Sequence, residues 1–182
     1  KSSEHGIDVI GDLHGHSRLF LRMLELLGYQ ADGDSFTHPL GRRILLVGDL
    51  INRGPDSIGV LETARRLHEN GTALIILGNH EFRLIQRSVV QKPLDDERFN
   101  RYLPWIRTLP LFLETATSRS VHAAWHYSSI QVLKESQAND DSFVKRTLDK
   151  ETAEGKAVQT ILSGIKVRLP LDPILRDRFD VP

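Results

Sequence analysis

Three short segments of the 182-residue chain join carboxylate, imidazole and amide side chains to glycines. They are Gly11-Asp12-Leu13-His14-Gly15, Gly48-Asp49-Leu50-Ile51-Asn52-Arg53-Gly54 and Gly78-Asn79-His80-Glu81. Asp12 and His14 are two apart, so at a strand end both side chains point the same way. Asp49 adds a second carboxylate and Asn79 a neutral oxygen. Mixed carboxylate, imidazole and amide ligands suit divalent manganese, iron or zinc. Two such ions about 3.5–4 Å apart clamp a phosphoryl group and lower the pKa of a water between them. One carboxylate must then be shared, and Asp49, on the middle segment, is the natural choice. His80 is available to protonate a leaving oxygen, and Arg53 offers a fork of donors to phosphate oxygens. Asp, Asn and Gly also occur at strand ends for backbone reasons alone. That reading does not account for histidine in both Asp12-x-His14 and Asn79-His80.

Positioning these groups requires strands that stop at the same edge. Residues 7–10 form an apolar run that reads as a buried strand, and residues 43–47 and 73–77 read as two more. Between the first two, Ser17 is a helix N-cap candidate, followed by Leu19, Phe20, Met23, Leu24 and Leu27 at helical spacing and by Gly28 at the stop. Asp56 or Ser57 can cap a helix carrying Ile58, Leu61, Ala64 and Leu67, ended by Gly71. A further helix begins near Asn79. Strands alternating with helices predict an α/β fold with a parallel sheet, where ligands bind outside the carboxyl ends of the strands. The three segments should therefore meet in one crevice.

The second half is less regular. Residues 95–107 read as a helix broken at Pro104. Residues 111–115 and 120–124 read as two strands. Residues 140–162 read as one or two helices with Gly155 a break, and residues 168–182 as loop. Glu81, at a helix start, is explained by the helix dipole. His5, His38 and His68 are expected at the surface, and Trp105 and Trp125 in packing.

Composition narrows the class. Hydrophobic residues make up 40% and charged residues 26%, the proportions of a globular chain. Lys plus Arg and Asp plus Glu are 24 each, so bulk charge gives no reason to bind nucleic acid. The absence of cysteine excludes disulfides, cysteine metal sites and a cysteine nucleophile. No apolar run approaches the roughly 20 residues of a membrane span, and the polar start carries no signal-peptide pattern. A cytoplasmic protein of one domain, residues 1–182, is expected, with its core motifs in residues 7–126 and a helical or irregular part in residues 127–182.

The three segments, followed by Val121-His122-Ala123-Ala124, resemble the calcineurin-like metallophosphoesterases, in particular the phosphoprotein phosphatase group and its bacterial dinucleoside tetraphosphatase branch. That family carries GD-x-HG, GD-x-x-DRG, GNH-E/D and a later strand ending in His, in this order. The resemblance implies a four-layer αββα sandwich and two divalent metal ions: manganese first, with iron, zinc, nickel or magnesium as alternatives. It implies Asp12 and His14 on the first metal, Asp49 bridging, and Asn79 and His122 on the second. It further implies His80 as general acid with Asn52 beside it, Arg53 holding the substrate phosphate, and a metal-bound hydroxide attacking phosphorus in line. The substrate would be a phosphoprotein or a dinucleoside polyphosphate.

Two departures bear on this. Asn52 stands where the family usually has an Asp that pairs with the acidic His and raises its pKa. An amide cannot stabilise imidazolium in that way, which moves the expectation toward polyphosphates, whose leaving groups need less protonation. The family's late Gly-His ligand has no counterpart after Gly78, so the sequence is expected to be part of a longer chain, with His126 either a substitute ligand or a residue of structure. A catalytically silent scaffold of the same fold, binding a partner protein, is the alternative function.

Overall fold

The computed structural model describes residues 6–91, 94, 96–165 and 167. In chain order the elements are β1 (Ile7–Ile10), α1 (Ser17–Leu26), β2 (Gln30–Asp32), β3 (Ser35–Thr37), β4 (Arg43–Leu46), α2 (Ser57–Glu69), β5 (Ala73–Ile75) and α3 (Asn79–Val90). A 3₁₀ turn (Glu97–Arg101), α4 (Leu103–Ile106), β6 (Phe112–Glu114), β7 (Arg119–Val121), α5 (Tyr127–Leu133), α6 (Asp141–Arg146) and α7 (Ala153–Ser163) follow. The fold is an α/β sandwich, with central sheets flanked by helices.

β1, β4 and β5 pair in parallel in that order, with Ile10 opposite Leu46 and Leu46 opposite Ile75. Ile44, Leu45 and Leu46 are all buried, as a central parallel strand requires. β1 lies at the edge, and its Ile7 and Val9 are exposed. α2 buries Val60, Leu61, Ala64 and Leu67 along one stripe, and Asp56 caps it by accepting from the Gly59 N–H. The three strands end in register, so the loops after them open at one edge. β6 and β7 pair antiparallel. The Leu77 N–H donates to the Pro110 carbonyl (2.8 Å) and the Ala123 N–H to Ile161 (3.0 Å). The first ties the segment before β6 to the residues after β5, and the second ties the residues after β7 to α7.

Some local expectations are corrected. Ser17 is the first residue of α1 rather than its cap. Its hydroxyl donates to Asp56 Oδ2 at 2.6 Å, and His16 stands at the N-cap without a side-chain bond. Gly155 does not break a helix. It lies in the first turn of α7, where its N–H donates to Thr152 Oγ1 (2.9 Å). Pro104 separates two short turns instead of kinking one helix, because it occupies the start of α4, where its missing N–H costs nothing. His38 and His68 are half-buried: His38 packs edge-on against Tyr29 and His68 accepts the Trp105 indole N–H (3.1 Å), while His5 lies outside the described residues. Residues 168–182, read as loop, lie outside the described residues. Among the described residues no helix is long and apolar enough to cross a membrane.

Asp8 pins β1 to its surroundings. It accepts from Arg42 Nε (2.9 Å) and Nη2 and from the buried Tyr29 hydroxyl (2.9 Å). The Arg42 fork holds the Asp8 carboxyl below the usual carboxylate range against the opposing effect of burial. Asp8→Ala is expected to cost about 1–2 kcal/mol in urea unfolding at pH 7. A depressed carboxyl stabilises fully above its unfolded pKa of about 3.9 and loses that contribution as pH falls through its folded value. The stabilities of wild type and variant should therefore converge in acid.

Candidate metal centre

The loops after β1, β4 and β5 have unusual backbones. Four non-glycine residues have positive φ among the described residues: His14 (42°), Asp49 (54°), Asn52 (70°) and Arg53 (65°). All four belong to the first two segments. Such conformations cost about 1–3 kcal/mol each and persist where surrounding bonds over-determine them. The loops also touch closely. Gly48 has φ 93°, and a Cβ at Gly48 or Gly78 would collide with the other loop's backbone, so both positions require glycine.

Glu81 supplies much of the over-determination. Its side chain is fully buried. Oε2 accepts from the N–H groups of Asp49 (2.8 Å) and Gly78 (3.0 Å), and Oε1 from those of Leu50 (2.9 Å) and Ile51 (3.2 Å). Burial and the neighbouring Asp49 charge push its carboxyl up, while the backbone amides pull it down. All four of these partners are donors, which is the set an ionised carboxylate takes. The helix-dipole explanation of Glu81 is therefore too small: this residue shapes the Asp49 loop. The family pattern GNH-E/D marks the position, but three of its four partners, Asp49, Leu50 and Ile51, lie 30–32 residues away, beyond local spacing.

Two histidines are oriented alike. His14 Nδ1 lies 3.2 Å from the Ile51 carbonyl and His122 Nδ1 lies 2.7 Å from the Val47 carbonyl. A carbonyl can only accept, so each Nδ1 carries a proton, and in the neutral ring Nε2 is the nitrogen that presents a lone pair. His14 Nε2 is buried with no hydrogen-bond partner. It faces Asp12 Oδ2 at 3.4 Å and Asp49 Oδ2 at 3.7 Å. His122 Nε2 faces Asp49 Oδ1 at 3.6 Å. Nδ1–H on a backbone carbonyl with Nε2 turned toward carboxylates is the arrangement of metal-ligating histidine.

Asp49 stands between them, 3% exposed, with Oδ1 accepting the His80 N–H at 3.0 Å. The Asn79 amide lies 2.9–3.0 Å from the Asp49 carboxylate oxygens and 3.1 Å from His122 Nε2. With its nitrogen inward the amide donates to these acceptors. With its oxygen inward it adds another electron-pair donor to a set that only a cation can satisfy. His80 Nε2 is 3.9 Å from Asp49 Oδ2, and its Nδ1 is 2.8 Å from the Asn52 amide nitrogen. Burial pushes the His80 imidazole below the usual histidine value, with the Asp49 charge opposing and Arg53 and Arg83 assisting. Arg53 is exposed beside this group.

Ligand atoms of His14, Asp49 and His80 lie within 4.8 Å of one another, as do those of Asp12, Asp49 and His122. Two clusters sharing Asp49 are the arrangement of a dinuclear divalent-metal site. Asp12 stands with His122 in one cluster and His14 with His80 in the other, while His14 Nε2 also lies 3.4 Å from Asp12 Oδ2. His126 is apart from both clusters. It caps α5, with Nδ1 bonded to Ser129 Oγ (2.8 Å).

The model of the calcineurin-like phosphoesterase family matches residues 5–169. A curated relative, the symmetrical bis(5'-nucleosyl)-tetraphosphatase of Nitrosomonas europaea, is 34% identical over 138 residues, covering 68% of this chain and 48% of that protein. The asymmetrical bis(5'-nucleosyl)-tetraphosphatase PrpE of Anoxybacillus flavithermus is 41% identical over 73 residues, 40% of this chain and 30% of its own. A solved protein serine/threonine phosphatase from Saccharomyces cerevisiae aligns with a TM-score of 0.44 at 22% identity, over 61% of this chain and 35% of that one. The chain thus spans about half the length, or less, of the curated relatives it matches. The family match runs through every loop of the two clusters, and on that ground the chain belongs to the calcineurin-like phosphoesterases.

Proposed function

We propose that the protein is a metal-dependent phosphoester hydrolase whose substrate is a phosphorylated protein or a dinucleoside polyphosphate. The observation that carries this is the shared Asp49, flanked by two histidines whose Nε2 lone pairs are turned toward carboxylates. In this reading Asp12, His14, Asp49, Asn79 and His122 hold two divalent ions. The pair, when bound, supplies charge to phosphoryl oxygens and acidifies a water.

The other roles belong to the chain's own side chains. Arg53 forks onto the substrate phosphate and fixes its orientation. His80 holds a proton on Nε2, because the Asn52 amide donates to Nδ1, and passes it to the leaving oxygen. Asn52 orients that imidazole without stabilising its charge, so substrates with acidic leaving groups are served best. The buried Glu81 network keeps Asp49 in its left-handed conformation.

Hydrolysis of p-nitrophenyl phosphate and diadenosine tetraphosphate, each with added Mn²⁺ and with EDTA, tests the reading. Turnover that depends on Mn²⁺ and stops with EDTA is the expected result. Bound metal without turnover on either ester would replace hydrolysis by partner binding, and failure to bind metal would remove the dinuclear assignment as well.

A further inference from the structure

α3 presents a row of residues that leads away from the two clusters. His80, Arg83 and Arg87 recur at helical spacing, Gln91 follows at the C-cap, and all four line one cavity of about 420 Å³. At 1.5 Å per residue the row runs about 10 Å from His80 to Arg87. Arg83 and Arg87 are exposed, one turn apart, and neither has a hydrogen-bonding or ionic partner among the described residues. Among the described residues one carboxylate lines the cavity, and it is paired elsewhere: Asp96 accepts from Arg98 Nε (2.9 Å) and Nη2 (2.8 Å). Asn52 and His80 close the end nearest the metal centre, while Leu94 and half-buried Phe99 give an apolar side.

We propose that this cavity is a subsite for the further phosphates of a nucleoside oligophosphate, gripped by Arg83 and Arg87 while the reacting phosphate lies at the metal centre. The proposal rests on the hydrolase reading and chooses between its two substrate classes. A phosphorylated serine or threonine carries one phosphate and leaves two guanidinium groups unanswered. An oligophosphate chain places further anionic oxygens along the row, where charge-assisted bonds to arginine are strong. Phe99 offers a face against which a nucleobase can stack. The cavity is of the size that holds small ligands.

Two measurements on R83A/R87A test this. The first is calorimetric titration in metal-free buffer with inorganic tripolyphosphate and with orthophosphate. Wild type should prefer tripolyphosphate by about tenfold or more, and R83A/R87A should lose that preference. The charge-matched control R22A/R65A should keep it. Equal weakening of both anions, or no weakening, overturns the subsite. The second is the ratio of kcat/KM on diadenosine tetraphosphate to that on p-nitrophenyl phosphate with Mn²⁺, expected to fall about tenfold in R83A/R87A. An unmoved ratio in an active protein defeats the subsite alone, as does preferred turnover of a phosphoserine peptide. A wild type that hydrolyses neither ester defeats the hydrolase reading, and the tripolyphosphate titration then still reports on the subsite.

Discussion

Asp49→Asn is expected to leave the fold intact, reduce bound Mn²⁺ from two equivalents to one or fewer, and lower phosphoester turnover by about a thousandfold or more. The reason is a division of labour within one carboxylate. Oδ2 faces His14 and His80, and Oδ1 faces His122. An amide keeps only one of these oxygens as a ligand and sets an N–H₂ group against the other histidine. The fold should tolerate the change, since asparagine accepts a left-handed backbone as well as aspartate does. Removing the charge also relieves its repulsion with buried Glu81. Thermal unfolding separates the two effects. Metal-free wild type and variant should melt together, or the variant slightly higher. The rise in Tm on adding Mn²⁺, which follows from binding to the folded state, should shrink in the variant alone. A variant that binds two equivalents and turns over normally would sink the shared-carboxylate assignment.

What could be read in advance follows from how far each signal travels along the chain. Asp12, His14, Asp49, Asn79 and His80 each sit immediately after an apolar run, so strand and ligand were visible in one window. The parallel order of β1, β4 and β5 then brings them together. The β2–β3 hairpin was not visible, although Gly33-Asp34 forms its two-residue connection between the paired Asp32 and Ser35. Its strands are three residues long, and Gln30, Ala31 and Asp32 are all exposed, so no alternation marks them. α5 escaped for a similar reason: seven residues with Ile130 and Leu133 buried give barely one helical repeat, and its cap is a histidine. For the α3 row no sequence signal exists: Arg83 and Arg87 have the spacing of any solvated helix face, and only the cavity beside His80 distinguishes them.

Glu81→Ala is expected to destabilise the protein by about 4 kcal/mol or more, and Glu81→Gln by about half as much. Every one of the four backbone N–H groups bound to Glu81 belongs to a loop of the metal centre. Alanine leaves all of them without an acceptor in a buried space, at about 1–3 kcal/mol for each that water does not reach. Glutamine keeps one oxygen but turns an N–H₂ group toward two donors. A purely structural residue would lose stability with little change in the affinity of the remaining folded protein for metal. Here the loop that Glu81 ties down carries Asp49 in a strained conformation, so the ligand relaxes when the tie is cut. Mn²⁺ affinity of folded Glu81→Gln, measured by calorimetry well below its melting temperature, should fall by about tenfold or more. Glu81→Asp should recover part of it, because a shorter carboxylate still accepts from some of the amides. A glutamine variant that is less stable yet binds metal as tightly as wild type would limit Glu81 to holding the fold and would leave the geometry of Asp49 to β4 and α3.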